Sequence, residues 1–262
     1  MIRSLYSAAT GMTAQELNVD TIANNLANVN TIGFKKTRAE FQDLVYQYLV
    51  EPGAPTSQTT KNPSGIQVGL GVKPAATQRI FSQGDLQSTS NTLDVAIEGD
   101  GFFEITKPDG TIAYTRAGSF QLNENGDLVT SDGYTVSPGI PIPAETLAIS
   151  IAQDGKISVR TPGNTTSQEV GQLTAVRFAN NAGLRAVGHN LYEETESSGA
   201  PVSGQFSENG FGRLTQGFLE SSNVSVVEQV VNMITAQRAY EANSKSIQTA
   251  DDMLSRAINV KR

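Results

Sequence analysis

The chain contains no cysteine and no tryptophan, and only one histidine. Without cysteine there can be no disulfide, no zinc–thiolate site and no thiol nucleophile. A single imidazole cannot build a His-rich metal site, and a Ser–His–Asp triad would have to use His189. That residue lies in AVGHNLY, between a glycine turn and a short apolar run, a setting typical of a hydrogen-bonded loop residue. No stretch approaches the length of a membrane span. The opening MIRSLYSAATGMTAQEL has one early arginine but no apolar run long enough for a cleaved signal peptide. Hydrophobic residues make up 38% of the chain, low for a single compact globule and suited to a long shape or to surface reserved for partners.

The 262 residues suffice for one large domain or two modest ones, and the net charge is −7. Residues 1–50 hold four basic and four acidic residues, and residues 222–262 hold five and four. The middle, 51–221, carries 10 basic against 18 acidic residues. An acidic middle repels phosphate, which argues against nucleic-acid binding and suits an outward-facing, solvated domain.

The two ends carry heptad patterns. Leu5, Met12, Val19 and Leu26 recur every seven residues, and Met1, Ala8, Ile22 and Val29 take the neighbouring seam position, broken by Gln15. This predicts an N-terminal helix of ~45 Å. Gly11 and the amides Asn24, Asn25, Asn28 and Asn30 weaken it, and Gly33 is a natural stop. At the other end Val226, Met233, Tyr240, Ile247 and Leu254 are spaced by seven. Their companion position holds Gln229, Ala236, Asn243, Ala250 and Ala257. Ser225 followed by Glu228 is a capping-box signature, and no Gly or Pro interrupts the run. The competing reading is two ordinary amphipathic helices packed on one globular core. Long repeats at opposite chain ends, flanking an acidic middle, favour a coiled-coil-like pair. Seams this rich in Ala, Asn and Gln bury little apolar area to offset backbone ordering, so folding coupled to assembly is expected.

Residues 51–65, EPGAPTSQTTKNPSG, are too polar and Pro/Gly-rich to hold a core and read as extended. IQVGLGV at 66–72 alternates like a short strand. From 73 to 222 turn signals separate apolar or alternating segments. KPDG at 107–110, NENGD at 123–127 and QDG at 153–155 each predict a hairpin, and SDGY at 131–134 a further tight turn. The expected fold is a mainly β central domain with long N- and C-terminal helices paired in a coiled-coil-like helical domain. Its parts are a discontinuous helical domain at 1–32 and 223–262, an extended connector at 33–72 and a β-rich outer domain at 73–222.

Candidates for chemistry are few. Gly69-Leu70-Gly71, Gly99-Asp100-Gly101 and Gly210-Phe211-Gly212 do not continue as phosphate loops and suit bends in a twisted sheet. The acidic pairs Glu193/Glu194 and Asp251/Asp252 are of the kind an acidic protein carries by chance. Lys35, Lys36 and Arg38 after Gly33 could bind an anion, but a solvated turn or a contact with an acidic neighbour explains them as well. No catalytic residue, metal ligand or cofactor is assigned.

Three stretches resemble the bacterial flagellar rod and hook family. They are ANNLANVNTIGFK at 23–35, with Asn24, Asn25, Asn28, Gly33 and Phe34 as its motif residues; TLDVAIEGDGFF at 92–103; and QRAYEAN at 237–243 followed by QTADDML at 248–254. Their order and spacing span nearly the whole chain. PGAPTSQTTKNPSG leading into IQVGLGVKP, and GFLESSNVSVVEQVV at 217–231, resemble the members that build the distal rod.

The resemblance implies a structural subunit rather than an enzyme. It would leave the cell through the flagellar type III export apparatus without a cleaved signal. Its terminal helices would line an inner tube with the β domain outside. It would stack on copies of itself into a stiff shaft spanning the periplasm to the outer membrane. Partners implied are proximal rod proteins, a hook or junction protein, and the peptidoglycan-level and outer-membrane ring proteins, with no nucleic acid and no membrane insertion. Helical growth requires contacts between different faces of one subunit. Asn24, Asn25 and Asn28 are candidates for inter-subunit hydrogen bonds that set register, against the alternative of a fraying helix end. A hook or proximal rod subunit of the same family is the nearest alternative; a wall-degrading enzyme lacks a catalytic constellation, and a carbohydrate-binding β module leaves both heptad helices unexplained.

Overall fold

The computed structural model describes residues 2–53, 62–163 and 166–260. The chain divides into two compact units. A helical unit comprises Met1–Leu26, Thr37–Gln78 and Ser225–Arg262, and a β unit comprises Ala27–Lys36 and Arg79–Val224. None of the described helices is long and apolar enough to cross a membrane.

The helical unit holds α1 (Ile2–Ala27) and α2 (Val226–Val260). Both contain residues that compete with the backbone, and those residues are satisfied locally. Thr13 and Thr21 donate to the carbonyls of Ala9 and Leu17, and Thr235, Ser246 and Thr249 do the same one turn back along α2. Ser225 opens α2 as expected of a cap: Gln229 donates its N–H to the Ser225 carbonyl at 3.0 Å, and Glu228 donates to the Ser225 hydroxyl at 3.5 Å. The 35 residues of α2 reach ~52 Å.

The segment read as an extended connector, 33–72, is extended but paired. Strand Thr37–Asp43 pairs with Val72–Arg79, and Tyr46–Val50 pairs antiparallel with Ile66–Gly69. Leu44 donates to the Gly71 carbonyl between the two pairs, at 2.8 Å. The result is a two-stranded arm within the helical unit. Its strands satisfy each other's backbone, which a lone connector could not do. Gly71 carries it close past α1, because a Cβ there, at φ +114°, would collide with Thr10. Residues 54–61, the middle of the polar stretch, lie outside the described residues.

The β unit is built of short antiparallel strands. The main sheet runs in the order 185–188, 191–193, 112–115, 102–106, 135–136, 128–129, 121–122. Strand 174–177 pairs with both 102–106 and 202–205. The three expected hairpins are present. Thr106 faces Ile112 across KPDG, Leu122 faces Leu128 across NENGD, and Ile151 faces Ile157 across QDG. Alternation turns Val95, Ile97, Phe103, Ile105, Ile157, Leu173, Phe206 and Leu214 into one dry core. Each such side chain contributes about 1.5–3 kcal/mol relative to exposure. A second cluster of Phe102, Tyr114, Val176, Phe178 and Tyr192 stacks edge to face, with Tyr114 and Phe178 centred 4.8 Å apart.

Candidate assembly surfaces

Within the helical unit the two helices touch at small and amide side chains. Asn25 donates to the Gln229 side chain at 3.4 Å. Fourteen residues back along α1, and fourteen on along α2, Gly11 lies against Asn243: a Cβ on Gly11 would fall 2.9 Å from the Asn243 amide nitrogen. Equal steps in opposite directions make the pair antiparallel over this stretch. Ala8, Ala14 and Ile22 are buried on α1, and Gln229, Ala236 and Ala250, with half-buried Asn243, recur by sevens on α2. These are the companion positions of the heptad. The bulkier seam candidates flank them. Leu5, Met12, Val19 and Leu26 are half-buried, as is Val29 beyond the end of α1; so are Met233, Ile247 and Leu254, whereas Val226 and Tyr240 are exposed.

A second stripe shares only Val226 with the heptad seam. Val226, Val227, Val230, Val231 and Ile234 are all at least 40% exposed, Val227 reaching 75%. At 100° per residue Val227, Val231 and Ile234 project roughly opposite to Gln229 and Ala236. The signal was in the sequence as VV, VV and I spaced by four, masked by the search for a single seam. The arm carries a comparable excess: Val45, Tyr46, Tyr48, Leu49 and Ile66 are exposed. Contiguous exposed apolar surface of this kind is the sort that protein contacts use.

The motif residues divide. Asn25 is buried and its amide is used within the chain. It donates to the Thr37 carbonyl at 2.7 Å and accepts the Thr37 N–H at 2.8 Å, besides its bond to Gln229. It therefore fixes the start of the arm against α1 and has no donor left for a neighbouring subunit. Asn24 is exposed, and Asn28 accepts from the Thr31 hydroxyl at 3.1 Å just past the helix end.

Gly33 and Phe34 belong to the β unit. Gly33 sits at φ +68°, and a Cβ would fall 2.7 Å from the Ala117 nitrogen, so glycine is required twice over. Phe34 is buried with the Arg79 guanidinium 5.9 Å from its ring centre.

The next residue, Lys35, is fully buried rather than solvated. It donates to Glu220 at 2.5 Å and to the Ser82 carbonyl at 2.7 Å. Arg116 approaches the other Glu220 oxygen at 2.9 Å and donates to the carbonyls of Gly99 and Gly101. The Gly84 N–H adds a bond to the carboxylate at 3.0 Å. Burial lowers the Lys35 ammonium below its ordinary value; Glu220 opposes that shift and Arg116 adds to it. Burial pushes the Glu220 carboxyl up, but Arg116 and Lys35 outweigh it and leave the group below its usual range.

Beside this triad Asn223 accepts the Lys36 N–H at 2.7 Å and donates to the carbonyls of Ile80 and Ser82. Glu220, Arg116 and Asn223 were not legible as partners of Lys35 and Lys36, since they stand at least 80 residues away in sequence. His189 is exposed in its loop, 3.2 Å from an Asp132 oxygen. Gly99 and Gly212 let their strands approach closely, a Cβ on Gly99 falling 3.0 Å from the Gly212 Cα. Among the described residues no group of His, Asp or Glu is placed to hold a metal.

The charge divides with the fold. The helical unit has nine basic and nine acidic residues, the β unit 10 and 17. A neutral unit exposing apolar stripes is joined to a well-packed acidic one.

Comparison with known proteins gives the family. Residues 5–35 match the family described as flagella basal body rod protein, residues 96–159 the flagellar hook protein FlgE/F/G D1 domain, and residues 215–260 the flagellar basal body rod FlgEFG protein C-terminal region. The chain is 56% identical over 264 aligned residues to the flagellar basal-body rod protein FlgG of Borreliella burgdorferi, with all of both chains covered. It is 53% identical to FlgG of Buchnera aphidicola from Acyrthosiphon pisum, covering 97% of this chain and 98% of that one. FlgG of Bacillus subtilis is 45% identical with both chains fully covered. The chain belongs to the flagellar rod and hook protein family, as a structural subunit of the distal rod of the basal body and not an enzyme.

Proposed function

We propose that the chain polymerises helically with copies of itself into a stiff, hollow drive shaft that transmits torque from the proximal rod to the hook. In this reading α1 and α2 form a coiled-coil-like pair in the tube wall, with Leu5, Met12, Val19, Ile22, Leu26 and Val29 and Val226, Met233, Tyr240, Ile247 and Leu254 along its seams. The acidic β unit is the part that meets the ring proteins at the peptidoglycan and outer membrane. The subunit passes through the type III export apparatus and spans the periplasm once assembled.

The observation that carries this reading is the exposed stripe of Val226, Val227, Val230, Val231 and Ile234 on α2. The intrachain face of α2 is already filled by small and amide side chains, so the valines are left for other copies. Contacts between unlike faces propagate instead of closing, which is what a filament needs. The test is polymer formation by the purified chain, followed by sedimentation and electron microscopy. Val227→Asp with Val231→Asp is expected to abolish polymers while leaving the β unit's circular dichroism unchanged. Normal polymers from that variant would sink the proposal.

A further inference from the structure

We propose that Asn209 is a site of spontaneous deamidation in the folded chain, and that Asn125, the other asparagine followed by glycine, is protected by its turn. The chain has six Asp-Gly or Asn-Gly steps: at 100, 109, 125, 132, 154 and 209. At each, the glycine nitrogen can attack the preceding side-chain carbon. With asparagine, that carbon–nitrogen bond forms, the side-chain amide leaves as ammonia, and a five-membered succinimide remains. Water then opens the ring at either carbonyl, giving aspartate or isoaspartate. An ionised aspartate is a poor electrophile for the same attack, which leaves the two asparagines.

Their glycines differ. The Gly126 N–H is donated to the Asn123 carbonyl at 3.0 Å, and the Asn125 N–H to the Asn123 side chain at 2.9 Å. Attack at Asn125 must break that arrangement. Asn209 and Gly210 instead form the centre of a mirror-image turn, with φ +50° and +81°. The turn is closed across them by the Phe211 N–H, which donates to the Glu208 carbonyl at 2.9 Å. In such a turn the N–H of the second central residue has no partner, and the Gly210 N–H makes no hydrogen bond among the described residues. Asn209 is exposed to water and its side chain makes no hydrogen bond there. The nucleophile is free, the electrophile is free, and glycine offers no Cβ to obstruct their approach.

The products act on a defined anchor. Either one places a negative charge beside Glu208, and isoaspartate adds a methylene to the main chain of a turn with fixed geometry. The turn holds Phe211, whose ring lies against Gly204 and 5.3 Å from the Arg177 guanidinium, and Arg177 also reaches the Gly210 carbonyl. The chemistry stands whether or not the chain polymerises, but in a lasting assembly the damage is not diluted by turnover.

The test is to age the full-length chain in warm, mildly alkaline buffer and map peptides by mass spectrometry, with isoaspartyl methyltransferase labelling as a second readout. The expected result is amide-to-acid conversion accumulating several-fold faster at Asn209 than at Asn125 in the folded chain, with the two rates converging in urea. Asn209→Gln removes most of the methyl labelling. Equal rates at the two sites in the folded chain, or conversion of Asn209 only in urea, overturns the proposal.

Discussion

The two units solve the same problem in opposite ways. The β unit removes most of its large apolar side chains from water, with Leu147 and Val202 among the scattered exceptions, and bonds its buried Lys35, Arg116 and Glu220 to one another. The helical unit buries mainly alanines and amides and leaves valines and tyrosines outside. The β unit closes two buried clusters of its own, whereas the helical unit leaves contiguous apolar surface on α2 and the arm. Stability in one chain can thus be local, with one part standing alone and another awaiting partners.

The contrast breaks most visibly in hydrogen exchange on the monomer. Amides of strands Val95–Glu98 and Phe102–Thr106 are expected to be protected by orders of magnitude more than those of α1 and α2. Helices as protected as the β core would mean that the antiparallel pair is stable alone and that assembly does not complete it. Next in size is Glu220→Ala, which leaves Lys35 and Arg116 buried without an anion and is expected to cost about 3–5 kcal/mol in urea unfolding of the β unit. Asn25→Ala strands both Thr37 backbone groups and the Gln229 amide, with an expected loss of about 1–3 kcal/mol confined to the helical unit. Tyr240→Ala, on an exposed seam position, should change monomer stability by less than about 0.5 kcal/mol while weakening polymerisation.

Acid sharpens the same comparison. Glu220 has a folded pKa below its unfolded value of 4.5, so its contribution is complete above that value and is lost as pH falls through the lower folded one. Urea midpoints of the β unit are expected to fall in that acid window, and Glu220→Gln, already destabilised, to fall less steeply there.

Much of this was legible in the sequence, and the reason is locality. KPDG, NENGD and QDG specify their hairpins through residues within the turn, and Ser225 caps α2 through its own neighbours. The heptads announced both helices. They did not say which position faces the partner within the chain, because Gln229, Ala236 and Asn243 look like poor seam residues until they are seen against Gly11 and Asn25. The arm was read as a connector because the polar stretch at 51–65 dominates its composition, while Thr37–Asp43 and Val72–Arg79 find each other only in three dimensions. Lys35 was indistinguishable from its neighbours Lys36 and Arg38 until Glu220 was placed beside it.

The bonds of Asn223 have an architectural consequence. Residues 79–224 enter the β unit beside Ile80 and leave it at Asn223, and one side-chain amide spans the two, 2.9 Å from the Ile80 carbonyl. An insert whose ends meet so closely can be exchanged for a larger or smaller one without moving the chain that carries it. The β unit is thus a cartridge: a lineage can resize it between Ile80 and Asn223 while the arm and the two helices keep their sequence and their register.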